Sequence, residues 1–198
     1  MTPQKKALVL SWFTVLYNLV EGVVSLVFSS LSGSIALTGF GIDSFIESIS
    51  GIIMIWRFRR HGVMSDEEES RAEALAVKLV GYTFFIFAAY VIFESLRSLL
   101  TREPPDSSLP GIIIASVSLI TMPALYILKI RTADEIGSKS LRADAKETLA
   151  CTMLSVSLLI GLGVRYAFGL WWADPVTGLV IAYYLIREGW ETLEDDDD

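Results

Sequence analysis

Long apolar stretches, separated by short polar segments, run along almost the whole chain. A helix rises 1.5 Å per residue, so about 20 apolar residues cross roughly 30 Å of hydrocarbon. Five stretches meet that standard. A sixth is interrupted by Arg187 and Glu188, but Trp171, Trp172 and Trp190 flank it as interfacial anchors would. We therefore expect six membrane-spanning helices, at residues 7–28, 34–56, 75–100, 110–130, 141–164 and 174–190.

Composition agrees with an all-α, polytopic membrane protein. Hydrophobic residues make up 53% of the chain and the mean hydropathy is +0.52, which is too apolar for an ordinary water-soluble domain of 198 residues. Residues 194–198 form an acidic tail that accounts for much of the net charge of −7, and no nucleic-acid surface is implied. The expected organisation is one six-helix domain, residues 1–193, followed by this tail. The single cysteine excludes an intrachain disulfide and a CxxC zinc motif.

The distribution of positive charge predicts the orientation. All but three of the 16 Lys and Arg residues fall at the amino terminus, after spans two and four, or at the carboxyl end; Arg97, Arg102 and Arg165 are the exceptions. By the positive-inside rule, both termini are cytoplasmic. The first apolar run is long enough to be a retained span rather than a cleaved signal, so we expect a multi-pass protein of the cell membrane.

Two pairs of polar residues lie inside the apolar helices with a spacing of four. Asp43 and Glu47 share a face of span two, and Glu147 and Cys151 share a face of span five. A charged residue at the centre of a membrane helix costs about 2.5–3.5 kcal/mol, so these acids require compensation. Protonation or a bound cation would supply it, and a site alternating between the two would exchange protons for metal. The four side chains are therefore candidate metal ligands.

Antiparallel packing of spans two and five would place Asp43 level with Cys151, and Glu47 opposite Glu147. Each pair continues into a stripe of small residues that would let the two helices approach closely. These stripes are Gly39, Asp43, Glu47 and Gly51 on one helix, and Ala143, Glu147, Cys151 and Ser155 on the other. The alternatives are that Cys151 is plain core and that Asp43 and Glu47 form a protonated, hydrogen-bonded pair that fixes helix packing.

Other intramembrane polar residues are secondary candidates. Glu21 lies in span one with Asn18 one turn earlier, and it could be a further ligand, a proton carrier or the partner of a basic residue. Glu94 could act at the site, but Arg97 follows it by three residues, so a local ion pair is the simpler explanation.

Asp144 precedes Glu147 by one turn at the cytoplasmic end of span five. It could guide ions inward or orient Glu147, or it could form a surface ion pair with its neighbours Arg142 and Lys146. We interpret His61, the only histidine, as an ordinary surface residue.

Two further patterns predict helix starts rather than sites. Asp174 followed by Pro175 is typical of the first residues of a helix. The acidic run 66–69 favours the positive end of the helix that follows it, although a patch that attracts cytosolic metal is an alternative.

Three segments resemble the cation diffusion facilitator family, whose members export zinc and related divalent ions. They are SGSIALTGFGIDSFIE at 32–47, LRADAKETLAC at 141–151 and WWADPVTGLVIAYYLIREGWETL at 171–193, which look like the second, fifth and sixth helices of that family. The resemblance implies a metal site at Asp43, Glu47, Glu147 and Cys151. In the family pattern, a His or Asp is followed four residues later by an Asp on each of the two helices. This chain departs from it, since it has no histidine there and carries Glu47, Glu147 and Cys151 instead.

The resemblance also implies a homodimer, formed here through the membrane helices because the chain stops soon after span six, where family members usually continue into a cytoplasmic domain. We expect no prosthetic group; the divalent cation, zinc first, is cargo exchanged for protons by alternating access. Cadmium, iron and manganese fit the ligand set as well. A membrane-embedded metal sensor or partner subunit and a proton-coupled carrier of small organic cations are the rival interpretations. Neither an HExxH helix nor a Ser and His pair is present, so an enzyme is not expected.

Overall fold

The computed structural model of the chain describes residues 2–32, 35–61, 64–101, 109–168 and 172–194. Within these ranges the backbone forms helices and no strand, as the all-α prediction requires. The helices are α1 Pro3–Ser32, α2 Ile35–Arg59, α3 Asp66–Thr101, α4 Leu109–Ile136, α5 Lys139–Phe168 and α6 Ala173–Glu194.

The first four helices are long and apolar enough to cross a membrane. The segments concerned are Pro3–Leu31, Thr38–Arg59, Asp66–Thr101 and Ile112–Ile136. Over the described residues, α5 and α6 do not reach the same standard, although both form at the predicted positions. Crossing by all six helices and the cytoplasmic location of both termini therefore stay predictions.

The helices continue beyond the predicted spans. Segments 57–74 and 131–140 were expected to be loops, yet α2 runs to Arg59, α3 begins at Asp66 and α4 runs to Ile136. The start of α3 has a local cause. The Ser65 amide donates to Glu68 Oε2 at 2.9 Å and the Glu68 amide lies 3.4 Å from Ser65 Oγ, which is the reciprocal arrangement of a capping box. The acidic run 66–69 forms the first turn, as its charge favours.

The α1–α2 hairpin is held closely by two glycines. A Cβ atom on Gly22 would lie 3.2 Å from the carbonyl oxygen of Gly41, and one on Gly41 would lie 3.1 Å from the carbonyl oxygen of Gly22. This close approach brings α1 beside the polar face of α2. The remaining helices complete a bundle in which α3 packs mainly on α6 and α4 mainly on α5.

A glycine turn joins α4 to α5. Gly137 has φ of +66°, and the amide of Ser138 donates to the carbonyl oxygen of Ala133 at 3.0 Å. A left-handed glycine followed by this hydrogen bond is the Schellman arrangement that ends many helices. The turn is short, so α5 returns directly alongside α4.

The small-residue stripe of α2 does not pack against α5 along its whole length. A Cβ atom on Gly39 would meet Tyr90 Oη on α3 at 2.7 Å, and one on Gly51 would meet Val15 on α1, also at 2.7 Å. The expectation of one continuous α2–α5 stripe was wrong. Successive steps of four residues turn by about 40° around a helix of 3.6 residues per turn, so the two ends of the stripe face different neighbours.

The predicted start of the sixth helix is confirmed to within one residue, since α6 begins at Ala173. The side chain of Asp174 lies outside the described residues, as do Trp171 and residues 195–198 of the acidic tail. Trp172 and Trp190 are 47% and 60% exposed, as membrane-interface anchors would be. The surface also exposes many large apolar side chains, mostly on helices α1 to α4, which suits contact with lipid.

Candidate metal centre

Helices α2 and α5 meet through three side-chain contacts in one antiparallel register. Asp43 contacts Cys151, Glu47 contacts Thr148, and Ser50 contacts Asp144. The residue numbers rise along α2 as they fall along α5, and seven residues of α2 span about 10 Å. All six side chains are buried. The interface is thus a polar seam in an apolar bundle.

The first contact confirms the expected level of Asp43 and Cys151. The thiol Sγ donates to Asp43 Oδ1 at 3.7 Å, and the two residues are 3% and 5% exposed. Cys151 also belongs to the main apolar cluster of the bundle, so packing and polar contact occur together. A carboxylate beside a thiol offers one oxygen and one sulfur ligand, which is a pair that zinc accepts.

The predicted contact of Glu47 with Glu147 is replaced by two separate hydrogen bonds. Glu47 Oε1 accepts from Thr148 at 2.7 Å, whereas Glu147 Oε2 accepts from Thr83 on α3 at 3.1 Å. The reason is helical geometry, because the face of α5 that meets α2 follows Asp144, Thr148 and Cys151. Glu147 is turned by about 100° from Thr148, toward α3. The two glutamates are nevertheless close enough to interact electrostatically.

Both glutamates keep a carboxylate oxygen without a hydrogen-bond donor among the described residues. These atoms are Glu47 Oε2 and Glu147 Oε1, and both side chains are fully buried. A buried acceptor without a donor costs about 1–3 kcal/mol, and more if it is charged. Both oxygens are therefore available to a proton or to a cation.

Asp43, Glu47 and Cys151 lie in the seam and Glu147 lies beside it, but the four candidate ligands do not form a closed coordination shell. Over the part of the chain that the structure describes, no group of three or more His, Cys, Asp or Glu side chains is arranged to hold a metal ion. Binding would therefore require the side chains or the helices to draw together. Their assignment as ligands stays a prediction.

Glu21 approaches the same seam from α1. Its Oε1 accepts from Tyr17 at 3.0 Å and its Oε2 accepts from Ser44, the neighbour of Asp43, also at 3.0 Å. Among the described residues, the hydrogen-bond donors to Glu21 are thus hydroxyl groups. The basic partner that was one alternative in the sequence analysis is not among them. Asn18 is fully buried one turn earlier, and its amide has no hydrogen-bond partner among the described residues.

Asp144 pairs with a residue that the sequence analysis did not single out. Its Oδ2 lies 2.8 Å from Lys129 Nζ on α4, and both side chains are fully buried. The considered surface pair with Arg142 or Lys146 is absent: Arg142 pairs with Asp134, and Lys146 with Glu188.

A sequence signal for Lys129 existed but was overlooked. Lys129 lies one residue before the end of the fourth predicted span, where a lysine ordinarily reaches solvent. It precedes Gly137 by eight residues and Asp144 follows it by seven, so a hairpin turning at that glycine places the two side by side.

The remaining candidates lie away from the seam. Glu94 pairs with Arg97 at 3.3 Å, in the local ion pair that its spacing favoured. His61 is exposed in the turn that follows α2, where its Nδ1 is 2.6 Å from Glu69 Oε1. Its environment agrees with the surface interpretation.

Comparison with known proteins gives the family. The chain is 21% identical over 193 residues to transmembrane protein 163 of Xenopus laevis, covering 97% of this chain and 68% of that protein. It is 26% identical over 165 residues to the cation-efflux pump FieF of Shewanella oneidensis, covering 81% and 55%. It is 23% identical over 181 residues to the manganese efflux system protein MneS of Bacillus subtilis, covering 89% and 62%.

The chain thus spans little more than half the length of several curated relatives that it matches. The family model for the cation efflux transmembrane domain matches residues 11–196, which is nearly the whole chain. With four helices apolar enough to span a membrane, the chain is a multi-pass membrane protein, and it belongs to the cation efflux family.

Proposed function

We propose that this chain exports a divalent metal cation, with zinc as the first candidate, and exchanges it for protons at the seam between α2 and α5. Asp43, Glu47, Glu147 and Cys151 are the proposed ligands. The proposal rests mainly on one observation: Glu47 and Glu147 are fully buried, and each keeps a carboxylate oxygen without a hydrogen-bond donor among the described residues. Relatives named for cation efflux, for manganese efflux and for cadmium, cobalt and zinc antiport support divalent cargo.

The chemistry of the ligands connects metal binding to proton movement. Carboxylates and thiolates bind metal only when deprotonated, so capture of the cation releases protons and protonation releases the cation. A buried acid needs one of these two partners, since an isolated charge in an apolar interior is strongly disfavoured. The buried acids are therefore neutralised in turn by protons and by the metal cation. Zinc is cargo in this scheme rather than a structural ion.

Alternating access supplies the direction of transport. In the cytoplasm-facing state the deprotonated ligands draw together around the cation, and in the outward-facing state protons replace it. Thr148 on α5 holds Glu47 of α2, whereas Thr83 on α3 holds Glu147 of α5. A relative shift of α2 against α5 therefore changes the separation of the two acids, and a shift of α3 against α5 changes the contact that orients Glu147. We extend the proposal to a homodimer formed through the membrane helices.

The test is zinc flux into liposomes that contain the purified full chain, driven by a pH gradient and reported by a trapped zinc-sensitive dye. Glu47→Gln and Glu147→Gln keep the side-chain volume but remove the charge, and each is expected to lower flux at least about tenfold. Glu94→Gln is the matched control, because Glu94 lies in a surface ion pair away from the seam. It should transport as the unmodified chain does.

Three results would overturn the proposal. Equal flux from the seam variants and the control would remove the site. Stoichiometric zinc binding without flux would favour a membrane-embedded sensor or partner subunit. Flux that responds to small organic cations and not to zinc, manganese, cadmium or cobalt would favour a carrier of organic cations.

A further inference from the structure

Lys129 is a fully buried cation beside the acidic seam. Its ammonium group lies 2.8 Å from Asp144 Oδ2 and donates to Thr148 Oγ1 at 2.9 Å. Both partners belong to α5, whereas Lys129 lies on α4. A buried ammonium is strongly disfavoured unless a charge and hydrogen bonds compensate it. The position of this side chain is therefore defined by its contacts with α5.

The ammonium is connected to Glu47 through one side chain. Thr148 accepts a hydrogen bond from Lys129 and donates one to Glu47 Oε1 at 2.7 Å. Asp144 is tied to the same seam, because Ser50 on α2 donates to its Oδ1 at 2.8 Å. The Lys129–Asp144 pair therefore forms the end of the seam beyond Glu47, rather than a separate ion pair elsewhere in the bundle.

The buried acids at the seam outnumber the buried basic side chains beside it. The buried acids Asp43, Glu47 and Asp144 lie in the seam and Glu147 lies beside it, and Asp144 directly faces the ammonium group. Arg57 on α2, the other buried basic side chain among the described residues, is engaged by Glu69 and Glu73. Among the described residues, Lys129 is thus the buried cation placed to act on the seam, and its positive charge opposes entry of a second positive charge beside Glu47.

We propose that Lys129 is a resident counter-cation that lowers the affinity of the seam for divalent cargo, and that Asp144 positions it. This inference rests on the proposed function. When cargo is absent, the ammonium offsets part of the negative charge of the seam. When cargo is bound, the ammonium repels it and favours release. Asp144 holds Lys129 on its own side of Thr148 and so prevents it from pairing directly with Glu47.

The test measures zinc affinity of the purified full chain by competition with a chromophoric chelator at fixed pH. Lys129→Met removes the charge at similar length and is expected to tighten zinc binding about tenfold. Asp144→Asn removes the acid and frees the ammonium to approach Glu47, so binding should weaken about tenfold. The double variant restores the original net charge and should bind within about threefold of the unmodified chain.

A merely structural ion pair would not give these opposite signs. It would lower thermal stability in both single variants and leave zinc affinity unchanged, or weaken it in both. Arg142→Met is the matched control, because Arg142 pairs with Asp134 in an exposed ion pair on the same two helices. It removes one positive charge from α5 at the surface and should leave zinc affinity unchanged. Lys129→Arg keeps the charge and should behave as the unmodified chain.

The outcomes separate this inference from the proposed function. If Glu47→Gln abolishes zinc flux while Lys129→Met leaves zinc affinity unchanged, the counter-cation role is wrong and the transport site stands. If the unmodified chain neither binds nor moves zinc, manganese, cadmium or cobalt, both are wrong. If Lys129→Met fails to fold, the test compares the zinc affinity of Asp144→Asn with that of the double variant. Equal affinities in these two variants would overturn the inference.

Discussion

Thr148 on α5 donates its hydroxyl proton to Glu47 on α2 at 2.7 Å, and its oxygen accepts from Lys129 on α4 at 2.9 Å. This one hydroxyl therefore connects three helices. Thr148→Val keeps the shape but leaves Glu47 Oε1 without its donor. We expect a loss of about 1–3 kcal/mol of stability, seen as a lower thermal midpoint in detergent, together with reduced zinc flux.

The control for that change lies one turn further along α5. Among the described residues, the Thr152 hydroxyl donates to the backbone carbonyl oxygen of Thr148, at 3.0 Å, and not to a side chain of the seam. Thr152→Val should change the thermal midpoint and the flux much less. Equal effects of the two substitutions would show that the hydroxyl of Thr148 has no special part in the seam.

Cys151 supplies the soft ligand of the proposed site. Thiolate favours zinc and cadmium, whereas carboxylate favours harder ions such as manganese. Cys151→Asp should therefore shift transport preference from zinc and cadmium toward manganese, and Cys151→Ser should weaken all of them. Competition between metals in the liposome assay measures the shift. An unchanged order of preference in both variants would mean that Cys151 is core only, which its place in the apolar cluster also allows.

Gly137, which follows the last residue of α4, has a left-handed backbone conformation that residues with a side chain rarely adopt. A Cβ atom there would meet nothing within 4 Å, so the cost of substitution comes from φ of +66° alone. Gly137→Ala should destabilise the chain by about 1 kcal/mol, and Gly137→Asn by less, because asparagine tolerates this conformation better. Thermal unfolding in detergent distinguishes the two. A larger loss for asparagine than for alanine would contradict the backbone explanation.

Glu73 fastens α3 to its neighbours. Its Oε2 accepts from Arg57 Nε on α2 at 2.7 Å, and its Oε1 accepts from Ser138 Oγ at 2.7 Å and from the Ser140 amide at 3.0 Å. Glu73→Gln weakens these bonds, because a neutral amide is a poorer acceptor than a carboxylate. Hydrogen exchange of the Ser140 amide should therefore become faster.

The matched control for Glu73→Gln is Glu67→Gln, on the exposed first turn of the same helix. It should leave exchange at Ser140 unchanged. Faster exchange in both variants would indicate a general loosening of α3 rather than the loss of one fastening.

The helices could be predicted from sequence because backbone groups in an apolar environment must satisfy one another, which makes long apolar runs helical. The level of Asp43 with Cys151 could be predicted because antiparallel helices have a simple register. The facing of Glu47 and Glu147 could not. Residues 147 and 148 differ by about 100° around the helix, and only tertiary packing decides which of them faces α2.

The Lys129–Asp144 pair was missed for a different reason. Each residue lies near a predicted span end, where a charged side chain ordinarily reaches solvent. Burial of both depends on the close return of α5 along α4, which follows from the turn at Gly137. A charge near the end of an apolar run therefore cannot be taken as exposed until its neighbour across the hairpin is known.

The turn at Gly137 has a mechanical consequence. Because the link is short and Lys129 pairs with Asp144 across the hairpin, we expect α4 and α5 to move together as one rigid unit. Sliding would then be confined to the surfaces that this hairpin shares with α1, α2, α3 and α6, so Lys129 would move together with the α5 side of the seam.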